Sequence, residues 1–207
     1  YNKYGLNHLN YKTAQWHQSI DYNDDLNVDN MKEDDYQKWQ LEFLKECYRV
    51  LKEDGSMFYN HKNRIVRGKG EIITPYQWLL KSPFKIRQEI VIDRKSSPDV
   101  NSCRYIPSTE RVYWLTKTIR PSFKRNSTFK GEVWHIIPNK NTWHPAPFPI
   151  ELPDNILDCL PQGIIVLDPF MGSGTTAISA IKHNDSYIGF ELFKDYIDLS
   201  NERIQNV

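Results

Sequence analysis

Ile164-Ile165-Val166-Leu167-Asp168-Pro169-Phe170-Met171-Gly172-Ser173-Gly174-Thr175-Thr176 is the stretch that decides how this chain folds. The uninterrupted apolar run Ile164 to Leu167 reads as a parallel strand buried on both faces. Asp168 to Gly174 then reads as a turn and Thr175 to His183 as a helix. Tyr187 to Glu191 follows as a second strand and Lys194 to Ile204 as a last helix. Strand, turn, helix and strand in that order make a βαβ unit, which predicts an α/β fold with a doubly wound, mostly parallel sheet.

The turn carries the chemistry. Gly172 and Gly174 let the backbone approach a ligand with no Cβ in the way, and the helix start beyond them offers unpaired N–H groups. Open α/β sheets bind ligands at such turns, outside the carboxyl ends of their strands. Glu191 ends the next strand, where a carboxylate can accept two hydrogen bonds from a ribose diol. Two plainer readings stand beside this one. The glycines can serve the turn alone, and Glu191 can serve as a helix cap. Pro169-Phe170 does not fit Gly-x-Gly-x-x-Gly, which argues against a nucleotide-binding dehydrogenase.

Outward from the turn, Trp143 to Pro149 contains three prolines and cannot be regular structure; a helix over Glu151 to Leu160 follows it. Earlier, Tyr36, Trp39, Phe43, Leu44, Cys47, Val50 and Leu51 recur at helical spacing. The helix over Met31 to Leu51 has Asp29 or Asn30 to cap it and Gly55 past its end. Thr74-Pro75 opens a short helix, and Ser56–Asn60, Ile86–Ile92, Val112–Leu115 and Glu132–Ile137 read as strands. Residues 1–30 read as a long polar loop.

The 207 residues suffice for one domain, 1–207, with 39% apolar and 26% charged residues. No run reaches the roughly 18 apolar residues that cross a bilayer, and no apolar segment of a signal peptide follows Tyr1. Cys47, Cys103 and Cys159 are far apart and odd in number, which fits a reducing, intracellular setting. The six histidines show no metal spacing, so no metal is expected.

The net charge of +1 conceals an uneven distribution. Between His61 and Lys130 there are 16 Lys and Arg against 5 Asp and Glu, an excess of +11, interleaved with Tyr105, Tyr113, Trp114 and Phe123. A solvated surface is the plain reading. A phosphate-facing surface is the sharper one, with Arg94, Lys95, Arg104, Arg111, Lys124 and Arg125 as contacts and 94–131 as a basic, target-recognising excursion. Asn60 and His61 end a strand that should face the cleft and are further substrate-contact candidates.

Asp168-Pro169-Phe170-Met171-Gly172-Ser173-Gly174-Thr175-Thr176 resembles the cofactor motif of the amino-DNA methyltransferases, written Asp-Pro-Phe-x-Gly-Ser-Gly-Thr-Thr. The resemblance extends along the chain in the family's permuted order. Arg49-Val50-Leu51-Lys52-Glu53-Asp54-Gly55-Ser56 is similar to Arg-Val-Leu-Lys-x-x-Gly-Ser. His144-Pro145-Ala146-Pro147-Phe148-Pro149 is similar to His-Pro-Thr-Gln-Lys-Pro, with Phe148-Pro149 where the family pattern has Lys-Pro. Tyr1-Asn2 looks like the tail of Asp-Pro-Pro-Tyr-Asn or Ser-Pro-Pro-Tyr-Asn, so the chain is expected to be N-terminally incomplete, with the first three motif residues outside it.

The resemblance implies a Rossmann-like, S-adenosylmethionine-dependent methyltransferase fold of the restriction-modification type. Asp168, Pro169, Phe170, Gly172, Ser173, Gly174 and Thr175 would surround the methionine end of the cofactor. Glu191 would hold its ribose, and His144, Phe148 and Pro149 would close over it. Tyr1 would stack on a base flipped out of double-stranded DNA, with Asn2 beside it. The acceptor is then adenine N6 or cytosine N4. The alternatives are an inert DNA-binding subunit that keeps the pocket and an RNA methyltransferase of the same fold. The resemblance also allows a cognate restriction endonuclease and a homodimer as partners, and implies a cytoplasmic protein with no membrane association.

Overall fold

The computed structural model describes residues 31–66, 71–95, 105–124, 131–137 and 148–207. Contacts divide the chain into two compact units. Among the described residues, the first unit takes those from Met31 to Pro121 and Glu132–Trp134, and the second takes Ser122–Lys124, Gly131 and His135–Val207.

The first unit begins with α1 (Glu33–Val50), followed by β1 (Ser56–Asn60), β2 (Arg64–Val66), β3 (Glu71–Ile73), α2 (Tyr76–Leu79), β4 (Lys85–Asp93), β5 (Thr109–Thr116) and β6 (Val133–His135). Glu33, Asp34 and Asp35 fill the first turn of α1 and complement its dipole. The start lies at Lys32, which makes no side-chain cap; the expected caps Asp29 and Asn30 lie outside the described residues. The helix stops at Leu51, and Gly55 closes the turn that follows by donating its N–H to the Lys52 carbonyl at 3.0 Å.

One sheet has the order β1-β5-β4-β6, in which β5 pairs antiparallel with both β1 and β4. The strand expected over Val112–Leu115 is thus longer than its apolar run and lies inside the sheet. Within 94–131, Val112 to Thr116 of this strand are buried, and Tyr113 and Leu115 enter the core of the first unit. Leu44, Trp78, Leu79, Tyr113 and Leu115 are its buried centre. Aromatic rings build much of it, as β5 puts Tyr113 opposite Tyr59 of β1 and under the edge of Tyr76.

The second unit holds α3 (Glu151–Leu157), β7 (Ile165–Asp168), α4 (Thr175–Lys182), β8 (Ser186–Gly189) and α5 (Lys194–Gln205). β7 and β8 pair in parallel, with Asp168 opposite Gly189, and α4 packs on both strands. This is the predicted βαβ unit. Asp185 fixes its register, accepting the N–H groups of Gly163 at 2.7 Å and Ile164 at 3.0 Å just before β7. The predicted burial on both faces of β7 does not hold. Ile165 is 59% and Leu167 39% exposed, because among the described strands only β8 flanks β7. No helix among the described residues is long and apolar enough to cross a membrane.

Candidate functional site

The turn between β7 and α4 is held by a chain of backbone contacts. Asp168 Oδ1 accepts the Phe170 N–H at 3.0 Å, an Asx turn that starts the bend. The Met171 N–H donates to the Phe190 carbonyl at 2.9 Å and the Phe190 N–H to the Asp168 carbonyl at 3.0 Å. The turn is thereby stitched to the segment leaving β8. Gly172 and Gly174 adopt φ of 51° and 81°, the left-handed region that glycine enters without a Cβ penalty. Close approach constrains Gly189 as well. A Cβ there would lie 2.0 Å from the Met171 sulfur, so the turn rests directly on β8.

Gly172, Ser173, Gly174 and Thr175 are buried while Phe170 is exposed at the rim. The Ile178 N–H makes the first bond of α4, to the Gly174 carbonyl. Among the described residues, no acceptor meets the N–H groups of Ser173, Thr175 or Thr176. These orphan donors at a helix start suit an anionic group such as a carboxylate. They are the feature by which the turn fits a methionine-bearing cofactor.

Glu191 does two things at once. Its Oε2 accepts the Gly172 N–H at 2.8 Å, and its Oε1 accepts the N–H groups of Leu192 at 2.8 Å and Phe193 at 3.0 Å. The carboxylate therefore caps the approach to α5, as its plainer reading had it, and also reaches the glycine turn. Each oxygen has two lone pairs, so Oε2 keeps one for a further donor.

Sequence reasoning missed the support beneath the turn. Arg203 of α5 donates through Nη1 to the Ser173 carbonyl and to Ser173 Oγ, the latter at 2.8 Å. Fully buried Ser200 lies where a Cβ on Gly174 would come within 3.0 Å of its own Cβ. The available signal was the spacing of Tyr196, Ser200 and Arg203, which shares one helical face. His183, at the end of α4, donates Nδ1–H to the Ser179 carbonyl at 2.8 Å and Nε2–H to Asp158 Oδ1 at 3.2 Å. Both partners are acceptors, so the protonated ring satisfies both contacts at once. Burial alone would lower its pKa, but the Ser179 carbonyl and the carboxylates of Asp158 and Asp154 raise it.

In the first unit, Asn60 is exposed at the end of β1, and His61 beside it is packed into an aromatic box. Its ring lies 5.5 Å from Tyr59 in a stack and 5.1 Å from Trp78 edge-on. His61 Nδ1 meets the Lys62 carbonyl at 2.6 Å, which can only accept, so Nδ1 carries the proton. Nε2 then accepts from the Tyr36 hydroxyl at 2.7 Å. Burial lowers the His61 pKa to about 4, with the Arg64 charge adding to it. His61 is thus a neutral, fully bonded residue of the first unit's packing.

The basic candidates separate by their partners. Arg94 pairs with Glu110, which also takes Lys62 at 3.1 Å, and Arg111 pairs with Glu89 at 2.8 Å. Lys95 and Lys124 are exposed, and Lys95 has a left-handed φ of 62°. Phe148 is half-buried and Pro149 buried, with the Pro149 carbonyl accepting the Leu152 N–H at the start of α3. Tyr1, Asn2, Arg104, Arg125 and His144 lie outside the described residues. Among the described residues, no three His, Cys, Asp or Glu side chains group as a metal site would need.

A DNA methylase family model, N6_N4_Mtase, matches residues 11–202. The chain is 55% identical over 64 residues to the orphan methyltransferase M.BamHII of Bacillus amyloliquefaciens, a match covering 30% of the chain and 24% of that protein. It is 27% identical over 207 residues to the type II methyltransferase M.ScaI of Streptomyces caespitosus, covering 83% of the chain and 68% of that protein. Its fold is shared with the PvuII DNA methyltransferase, described as cytosine-N4-specific, at a TM-score of 0.75 and 21% identity over 91% of this chain and 79% of that one. The chain thus spans between about a quarter and about two thirds of the length of these two curated relatives.

Proposed function

Because the chain belongs to the N6/N4 DNA methylase family, we propose that it is an S-adenosylmethionine-dependent enzyme that methylates an exocyclic amino group of DNA, adenine N6 or cytosine N4. The observation that carries this reading is the turn from Asp168 to Thr175. It joins left-handed glycines, orphan N–H groups at the start of α4 and the Glu191 carboxylate two residues past the end of β8. The orphan N–H groups would receive the cofactor's carboxylate, Glu191 would take a ribose hydroxyl on Oε2, and exposed Phe170 would border its methyl end. Bound there, the cofactor supplies an electrophilic sulfonium methyl.

The protein's own contribution is orientation and electrostatics, since an exocyclic amine is a weak nucleophile. Tyr1 and Asn2 are proposed to hold the flipped base, Asn60 to contact substrate, and His144, Phe148 and Pro149 to cover the cofactor. Residues 1–207 are proposed to act as one methyltransferase domain. Lys95, Arg104, Lys124 and Arg125 are the preferred phosphate contacts of duplex DNA, because Arg94 and Arg111 already have carboxylate partners. A cognate restriction endonuclease, a homodimer, an intracellular location and a reaction needing no metal complete the proposal. No observation favours the inert-subunit or RNA readings.

The test is methyl transfer from labelled S-adenosylmethionine to duplex DNA, with digestion to nucleosides. N6-methyladenine or N4-methylcytosine is the expected product and decides between the two acceptors. Label found only in C5-methylcytosine, RNA or protein overturns the proposal.

A further inference from the structure

The mode of support beneath the glycine turn assigns a role to a residue that neither the motif nor the family match singles out. Arg203 sits 30 residues after Ser173, on the opposite side of β8 in sequence. It is half-buried, and among the described residues no carboxylate pairs with it. Among the described residues, its polar contacts are the Ser173 carbonyl and the Ser173 hydroxyl. Desolvation lowers its pKa from the ordinary arginine value, so the guanidinium is held there at a cost and given over to one residue of the turn.

The second hold on the turn comes from the segment that leads into the same helix. Glu191 accepts the Gly172 N–H and, with its other oxygen, the Leu192 and Phe193 N–H groups that lead into α5. A carboxylate therefore grips the Gly172 amide, and a guanidinium grips the Ser173 carbonyl. Each charge meets the end of the backbone dipole it attracts. Between the two, Ser200 and Ile204 fill the space under Gly174, at 3.0 and 3.5 Å from where its Cβ would stand. Two glycines at positive φ within three residues have large backbone freedom, and such a turn stays in one conformation only when its surroundings fix it.

We propose that Arg203 is a positioning residue of the cofactor turn: with Glu191 it forms a two-point clamp, from α5 and the segment leading into it, that holds Gly172–Gly174 in the conformation leaving the Ser173, Thr175 and Thr176 N–H groups open to the cofactor. The inference rests on the reading of this turn as the S-adenosylmethionine site. It gives Glu191 a task before any ribose arrives and makes affinity depend on a side chain that the cofactor does not touch. It also explains why Ser follows Gly172 here, since Ser173 offers Arg203 two acceptors on one residue.

The experiment compares the whole chain with Arg203→Met, Arg203→Lys and Ser173→Ala. S-adenosylmethionine binding is read by calorimetry, and amide exchange at Gly172–Thr175 by NMR without ligand. Arg203→Met should weaken binding about tenfold or more, the worth of a charge-assisted bond. Its turn amides should exchange faster while those of α4 and β8 keep their protection. Arg203→Lys retains charge and a donor, so it should fall between the two; it also serves if Arg203→Met fails to fold. Ser173→Ala keeps the carbonyl acceptor and should lose less than Arg203→Met. In methyl transfer, loss of the clamp should raise KM for the cofactor and leave KM for DNA unchanged. A folded Arg203→Met or Arg203→Lys with wild-type affinity and unchanged turn exchange overturns the clamp. A wild-type chain that binds no S-adenosylmethionine overturns the site reading instead, and turn exchange alone then decides the clamp.

Discussion

Replacing Gly174 by alanine should destabilise the second unit through two separable effects. The first is conformational: at φ of 81° an L-residue costs about 1–2 kcal/mol relative to its ordinary regions. The second is steric. The new Cβ would lie 3.0 Å from Ser200 Cβ and 3.5 Å from Ile204 Cδ1. Ser200 is fully buried, with its hydroxyl tied to the Ile197 carbonyl at 2.8 Å, so relief requires α5 to move. Overpacking of this kind costs about 1–3 kcal/mol, which brings the expected total to roughly 2–5 kcal/mol. Gly163 supplies the control. It has a φ of 74°, but nothing stands within 4 Å of where its Cβ would go. Gly163→Ala should therefore cost only the conformational part. Urea unfolding followed by circular dichroism measures both variants. Equal losses would refute the claim that α5 is packed directly against the glycine turn.

Other outcomes follow from charge and protonation. His61 is neutral in the fold with its pKa lowered to about 4, so the stability it supports is complete above the ordinary histidine value of about 6.5. That stability should be lost as pH falls through this window toward 4. His61→Gln should flatten the loss in acid unfolding curves; an unchanged curve contradicts the boxed, neutral ring. His183 has the opposite sign, since its folded pKa is raised. Its stabilisation of the α3–α4 contact should be fully present below about pH 6.5 and lost as pH rises through the folded value, and the difference in stability between wild type and His183→Gln should shrink accordingly. For DNA binding, removing Lys95 or Lys124 should reduce the slope of log K against log salt by about 0.9 each. Arg94→Ala and Arg111→Ala should change it less, because Glu110 and Glu89 already offset those charges; equal slopes would show that the ion pairs open on DNA.

The glycine turn was legible because its signal is local. Strand, Gly-x-Gly, helix and acid occupy one continuous stretch, and the structure realises them in that order. Glu191 was legible in place but only half in role, since its bond to Gly172 depends on how β8 lies beside β7. Arg203 and Ser200 were invisible to motif reading because their partners are about 26 to 30 residues away across a packed interface. The apolar run of β7 correctly marked a parallel strand, yet periodicity says nothing about how many neighbours a strand has, and Ile165 and Leu167 are exposed. Counting charge marked Arg94 and Arg111 as phosphate ligands. It could not see that β4 and β5 place Glu89 and Glu110 against them. His61 was marked by its place at a strand end, whereas its chemistry is set by Tyr36, Tyr59 and Trp78, which converge only in the fold.

The most direct test of the central claim is a crystal structure of the chain with S-adenosylmethionine. The account predicts density along Asp168–Thr175, with the cofactor carboxylate on the Ser173, Thr175 or Thr176 N–H groups and its ribose hydroxyls within hydrogen-bond distance of Glu191. Cofactor density elsewhere on the chain, with the glycine turn still held by Glu191 and Arg203, would contradict it.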